Sequence, residues 1–95
     1  TPRVAFLNLC PVDETLTNPL PNSSTGKCYT NDRIDKFNEV LREFCETNGL
    51  ALIDIHGQFI KHDNILADGL HPNSNGHQII AESVRPTVES WLYGE

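Results

Sequence analysis

Residues 65–77 read "ILADGLHPNSNGH" and set Asp68 three positions ahead of His71 across a glycine. An aspartate at that spacing can turn its carboxylate onto a ring nitrogen of the histidine, which fixes the tautomer and favours the imidazolium. A histidine base oriented by an acid is two thirds of the constellation that activates a serine hydroxyl for attack; the serine is the part still to be found. Gly69 allows the tight turn that brings the two side chains together, and Leu70 points elsewhere. Two plainer arrangements use the same residues. Asp68 and His71 can simply cap the helix that follows, and Asp68, His71 and His77 have the side-chain types to hold a zinc ion, although no second ligand cluster supports that.

The chain that must position this pair has 95 residues, enough for one modest core. Thirteen acids against seven Lys and Arg give a formal charge of −6 with no basic run, so nucleic acid is set aside as a partner. No apolar stretch approaches the roughly 18–20 residues of a membrane-spanning helix, and no signal-peptide pattern opens the chain. The expectation is a soluble protein whose compartment is left open, leaning to the cytoplasm. A start at Thr1 and the absence of any Met suggest a processed or excised piece. Three cysteines without a C-x-x-C pair argue against a disulfide framework or a structural zinc site. Cys10 and Cys28 bracket a loop and are open to pairing, whereas Cys45 reads as core. Asn22-Ser23-Ser24 fits the glycosylation acceptor pattern, which has meaning only in a secreted protein.

"VAFLNL" (4–9) is a nearly continuous apolar run of the kind found in a strand buried on both faces. From Pro11 to Tyr29 the composition turns to Pro, Asn, Ser, Thr and Gly, a long irregular loop beside whatever site exists. Ile34, Phe37, Leu41, Phe44 and Cys45 then recur at helical spacing, with Asn31 as the cap and Asn48-Gly49 as the stop. "LALIDI" (50–55) is a second strand, so strand, helix and strand make a parallel pair with a crossover. Residues 58–61 have room for one helical turn, and His56 and His62 read as exposed loop residues. Ser74 caps a final helix that carries Ile80, Val84, Val88, Trp91 and Leu92 on one face, with His77 on its surface. Pro86 removes one backbone hydrogen bond from that helix and kinks it. Two parallel strands need more sheet beside them, because such sheets bury both faces and protect their edges.

Asp68 and His71 therefore follow a parallel strand, on the side of an open α/β sheet where ligands bind. In that setting "DGLHPNSNGH" resembles the last conserved block of the SGNH (GDSL-type) hydrolases, where an Asp and a His three apart complete a Ser-His-Asp triad. "VAFLNLCPVDE" resembles that family's penultimate strand and following loop, "RIDKFNEVLREFCETNGLALIDI" its next helix and strand, and "HPNSNGHQIIAESVRPTVESWL" its terminal helix. The resemblance implies a three-layer α/β/α flavodoxin-like fold, of which residues 1–95 are the C-terminal β-α-β-α portion of a single domain. It implies a serine hydrolase acting on a small ester (an acyl ester, a lysophospholipid or an acetylated sugar), with His71 as base, Asp68 orienting it, and neither cofactor nor metal.

The family's other blocks are absent. No Gly-Asp-Ser occurs, and no serine sits in Gly-x-Ser-x-Gly; Ser74 in "PNSNG" has Pro72 where the first glycine is needed. The family's Gly-x-Asn-Asp block, which gives an oxyanion donor, is only echoed by Thr30-Asn31-Asp32, since position 29 is Tyr. Nucleophile and oxyanion hole are thus expected from a missing N-terminal half, and the isolated chain is expected to lack esterase activity. The second reading is a non-catalytic binding or scaffold fragment with a hydrolase-like half-fold, using Asp13, Glu14 and the Pro-rich loop as its surface.

Overall fold

Two short strands, β1 (Ala5–Leu7) and β2 (Ala51–Ile53), pair in parallel with Ala5 opposite Ala51, Phe6 opposite Leu52 and Leu7 opposite Ile53. The computed structural model that gives this register describes residues 3–18, 25–26 and 28–94. Between the strands, α1 (Glu14–Thr17) and α2 (Asn31–Asn48) intervene; α3 (Ile55–Phe59) and α4 (Ser74–Tyr93) follow.

Local side-chain chemistry sets the ends of these elements. Thr30, rather than Asn31, caps α2 by accepting the Arg33 N–H at 3.3 Å, and Gly49 ends the helix at φ 64° with its N–H on the last carbonyls. Within the expected loop of residues 11–29 the described residues include a helical turn, α1, where Asp13 Oδ1 accepts the Thr15 N–H at 3.1 Å. Thr17, fully buried, donates its hydroxyl to Tyr29 O at 2.7 Å and accepts the Tyr29 N–H at 2.8 Å, closing the base of the excursion between them. The acceptor triplet Asn22-Ser23-Ser24 lies outside the described residues. All three cysteines are free thiols, with Cys45 buried as expected. The second strand stops at Ile53, two residues early, because Asp54 caps α3 through the Gly57 N–H at 2.9 Å. His56 consequently lies half-buried on α3, its Nε2 3.4 Å from Asp35 Oδ1, and is not an exposed loop residue.

Each face of the sheet meets a helix. Phe6 packs edge-on against Phe44 of α2, ring centroids 6.2 Å apart, while Ala5, Leu7 and Ile53 share a groove with Val84, Val88 and Trp91 of α4. Helix, sheet and helix form the three layers of an α/β fold. α4 continues through Pro86, which has no N–H for the preceding turn. The buried core collects Val12, Ile34, Cys45, Ile53, Ile55, Phe59 and Ile65. β1 is not buried on both faces as its apolar run implies: Leu7 is exposed, and along α2 Phe37, Val40 and Phe44 remain 52%, 66% and 50% exposed. The two strands found among the described residues, with one helix to each face, leave such side chains open. The Cα radius of gyration, 15.1 Å, correspondingly exceeds the roughly 13 Å of a compact 100-residue domain.

Gly76, buried in the first turn of α4, touches the loop before it so closely that an added Cβ would meet Ile65 O at 2.5 Å and Pro72 Cβ at 2.8 Å. Gly76→Ala is expected to lower stability by about 1–3 kcal/mol, read as a fall in the denaturation midpoint. An unchanged midpoint would mean that α4 and this loop do not pack in this way.

Candidate active site

The loop that carries Asp68 and His71 is a short doubling-back held by its own backbone. Leu66 and Pro72 bridge antiparallel, Ala67 N–H donates to His71 O at 2.8 Å, and Asn73 N–H donates to Ile65 O at 2.8 Å. Gly69 turns the corner at φ 85°, where a side chain is disfavoured, and an added Cβ would stand 2.7 Å from Leu16 Cβ. Asn73, not Ser74, caps α4: its Oδ1 accepts the Gly76 N–H at 3.0 Å while its Nδ2 donates to Asn64 O at 2.8 Å. One side chain thereby fixes both the helix start and the entry to the loop.

Inside this turn the Asp68 carboxylate gathers three N–H donors. Oδ1 accepts from Leu70 N–H at 2.9 Å and His71 N–H at 2.7 Å, and Oδ2 lies 2.7 Å from His71 Nδ1. Asp68 is therefore not a helix cap; it grips its own turn and the histidine ring. The backbone N–H of His71, then its ring, then the Leu70 N–H hold the carboxyl well below the usual carboxylate range. An ionised Asp68 calls for the proton on Nδ1, which leaves the Nε2 lone pair available in the neutral ring. His71 and Asp68 are 71% and 56% exposed, and among the described residues Nε2 has no hydrogen-bond partner. A hydroxyl set against Nε2 would meet an oriented base.

His62 and His77 are both exposed and neither joins this pair. Among the described residues no group of three or more His, Cys, Asp or Glu is placed to hold a metal ion, so a zinc arrangement of Asp68, His71 and His77 is not formed. Nor does any serine hydrogen-bond His71 among the described residues.

The sequence reading missed two asparagines. Asn31 accepts the Val12 N–H at 2.8 Å and donates to Val12 O at 2.9 Å; Asn38, two helical turns on, repeats the pair with Leu9 at 2.8 and 3.0 Å. A side-chain amide offers the same donor and acceptor as a peptide group, so each acts as one rung of a ladder between helix and chain. The signal in the sequence was their seven-residue spacing on one face of α2. Asn8 adds a third tie, donating to Asp54 Oδ1 at 2.7 Å and accepting the His56 N–H at 2.9 Å. The segment after β1 is thus pinned to α2, and Asp13 N–H joins it to the turn by donating to Gly69 O at 2.9 Å. A cleft of about 480 Å³ lies alongside, with Leu16, Ile60, Leu66 and Gly69 in its wall.

Parallel strands between helical layers, with an acid-oriented histidine in the segment after the second strand, define an α/β protein. Residues 4–79 match the model of the GDSL-like Lipase/Acylhydrolase family, and the chain belongs to that family, whose fold is that of the SGNH hydrolases. It is also 27% identical over 92 residues to a GDSL esterase/lipase of Arabidopsis thaliana, a match covering 92% of this chain and 36% of that protein. The chain thus spans about a third of the length of the curated relative it matches. No solved structure matches it.

Two measurements check the pair. In ¹⁵N spectra the neutral His71 ring is expected to carry its proton on Nδ1, and an Nε2-protonated ring would mean that Asp68 does not orient it. The depressed pKa of Asp68 also has a sign: relative to an unfolded value of about 3.9, the ionised group stabilises the fold above roughly pH 5 and loses that effect as pH falls through the folded-state value. The stability difference between wild type and Asp68→Ala is expected to be level near neutrality and to narrow on acidification. A difference that widens instead would count against the three donor contacts.

Proposed function

We propose that residues 1–95 are the C-terminal portion of a single SGNH-hydrolase domain and supply the Asp and His of a Ser-His-Asp triad that cleaves carboxylic esters. The observation that carries this is the 2.7 Å contact between Asp68 Oδ2 and His71 Nδ1 on an exposed ring whose other nitrogen has no hydrogen-bond partner among the described residues. Membership of the family supports the hydrolytic class. The exposed Phe37, Val40 and Phe44, together with the 36% coverage of the relative, support a domain completed by further polypeptide.

In this mechanism His71 Nε2 takes the proton of a serine hydroxyl contributed by the rest of the domain as the serine oxygen attacks the ester carbonyl. Asp68 stabilises the imidazolium that forms, and His71 returns the proton to the departing alkoxide. Water then attacks the acyl-serine, again giving its proton to His71, and the carboxylic acid and free serine are released. Donors for the oxyanion also come from the completing segment, and they supply a large share of the rate. Candidate substrates are small acyl esters, lysophospholipids and acetylated sugars.

A serine-directed fluorophosphonate, followed by intact mass of every polypeptide in the native protein, is expected to find one adduct on a serine outside these 95 residues and none within them. In the same protein His71→Ala is expected to reduce kcat about 10⁴-fold with little change in KM. A loss below about tenfold would remove His71 from the mechanism. Absence of any labelled serine would leave a binding or scaffold role in its place.

A further inference from the structure

The Val12–Asp13 peptide group is held at both ends. Its carbonyl accepts from Asn31 Nδ2 at 2.9 Å, and its N–H, that of Asp13, donates to Gly69 O at 2.9 Å. The Gly69–Leu70 peptide group repeats the arrangement: its carbonyl takes the Asp13 N–H, and its own N–H, that of Leu70, donates to Asp68 Oδ1 at 2.9 Å. Three hydrogen bonds therefore run head to tail from a side chain on α2 to the carboxylate, every donor pointing toward Asp68. His71 Nδ1 meets the opposite carboxylate oxygen at 2.7 Å.

Aligned in this way, each bond polarises the next, and the series presents the positive ends of two peptide dipoles to one anion. The amide of Asn31 is locked in orientation as well as in place. Its Oδ1 accepts the Val12 N–H at 2.8 Å, so a flipped amide would set donor against donor and acceptor against acceptor. Leu16, four residues after Val12, packs against the turn and fills the space that a Gly69 side chain would need. Asn38 forms the same two bonds with Leu9, yet nothing among the described residues carries them on to the turn.

We infer that Asn31 is a positioning residue for the Asp68–His71 pair, acting through the Val12–Asp13 and Gly69–Leu70 peptide groups. Its effect on turnover rests on the triad proposed above; its effect on the geometry of the pair does not.

The test compares Asn31→Asp with Asn38→Asp in the complete domain. Both keep an acceptor for the facing N–H and remove the donor to the facing carbonyl, and both are made together with Glu14→Gln, because Asn31 Nδ2 also donates to Glu14 Oε2 at 3.4 Å and a carboxylate at 31 would meet that charge; only Asn31 begins the series. Asn31→Asp is expected to move the Leu70 amide proton upfield, to shift the His71 Hδ1 proton, and to lower kcat by about 10- to 100-fold at unchanged KM. Asn38→Asp is expected to leave both signals and kcat near wild type. Shifts at Leu70 and His71 no larger in Asn31→Asp than in Asn38→Asp would overturn the inference. If the unsubstituted domain hydrolyses no ester, the triad reading fails, while the two proton signals still decide the role of Asn31. Should Asn31→Asp not fold, the coupling across the hydrogen bond from the Asp13 nitrogen to the Gly69 carbonyl carbon decides in wild type: its presence supports the series and its absence overturns it.

Discussion

The ionised carboxylate of Asp68 is gripped within a turn of four residues, and much of the surrounding structure follows from that grip. Three N–H groups converge on it from Leu70 and His71. Bringing two consecutive backbone N–H groups to one oxygen forces the chain to reverse, which puts Gly69 at positive φ and strips that position of a side chain. The vacated space is taken by Leu16, so α1 has to approach, and Asp13 comes with it to complete the Gly69 carbonyl. On the other side, Pro72 and Asn73 close the reversal onto Leu66 and Ile65 and start α4 with a glycine for which the loop leaves no alternative. An acid–base pair this exposed keeps its geometry through backbone contacts rather than burial.

The sheet is organised by a different balance. Two strands of three paired residues cannot by themselves fix the chain that leaves their ends. Beyond Leu7, side-chain amides take over from the ladder: Asn8 ties the end of β1 to the start of α3, and Asn38 and Asn31 tie Leu9 and Val12 to α2. These bonds hold the segment at a fixed depth beside the sheet while apolar side chains on α2 and β1 face outward. Around Asp68 and His71 the polar ties close among the described residues, whereas Phe37, Val40 and Phe44 of α2 stay exposed.

Much of this was legible in the residues. The Asp68-Gly69-Leu70-His71 spacing announces its hydrogen bond because a carboxylate three residues before a histidine is a local geometry, set by one turn. The periodicity from Ile34 to Cys45 and the short apolar runs on either side gave the parallel crossover for the same reason. The errors cluster where residues of equal local fitness compete. Thr30 and Asn31, or Asn73 and Ser74, cap a helix about equally well, and only the distant demand of the Val12 backbone assigns Asn31 to another task. Asp54 ended a strand that apolar character alone would have extended to Ile55, since a side-chain cap on Gly57 outcompeted two further rungs. Burial of β1 on both faces was misjudged because an apolar run reports what a strand can bury, not what stands beside it.

The two asparagines on α2 also set a length. Seven residues of α-helix advance about 10.5 Å, and three residues of extended chain cover about 10 Å; Asn31 to Asn38 runs antiparallel to Leu9 to Val12 with matching strides. The helix and the chain beside it are commensurate over this interval, like two scales read against each other. One residue inserted between Leu9 and Val12, or between Asn31 and Asn38, would leave only one of the two marks aligned. Thr17 and Tyr29, further along the same segment, are joined to each other by two hydrogen bonds. Variation in chain length is therefore refused between these two marks.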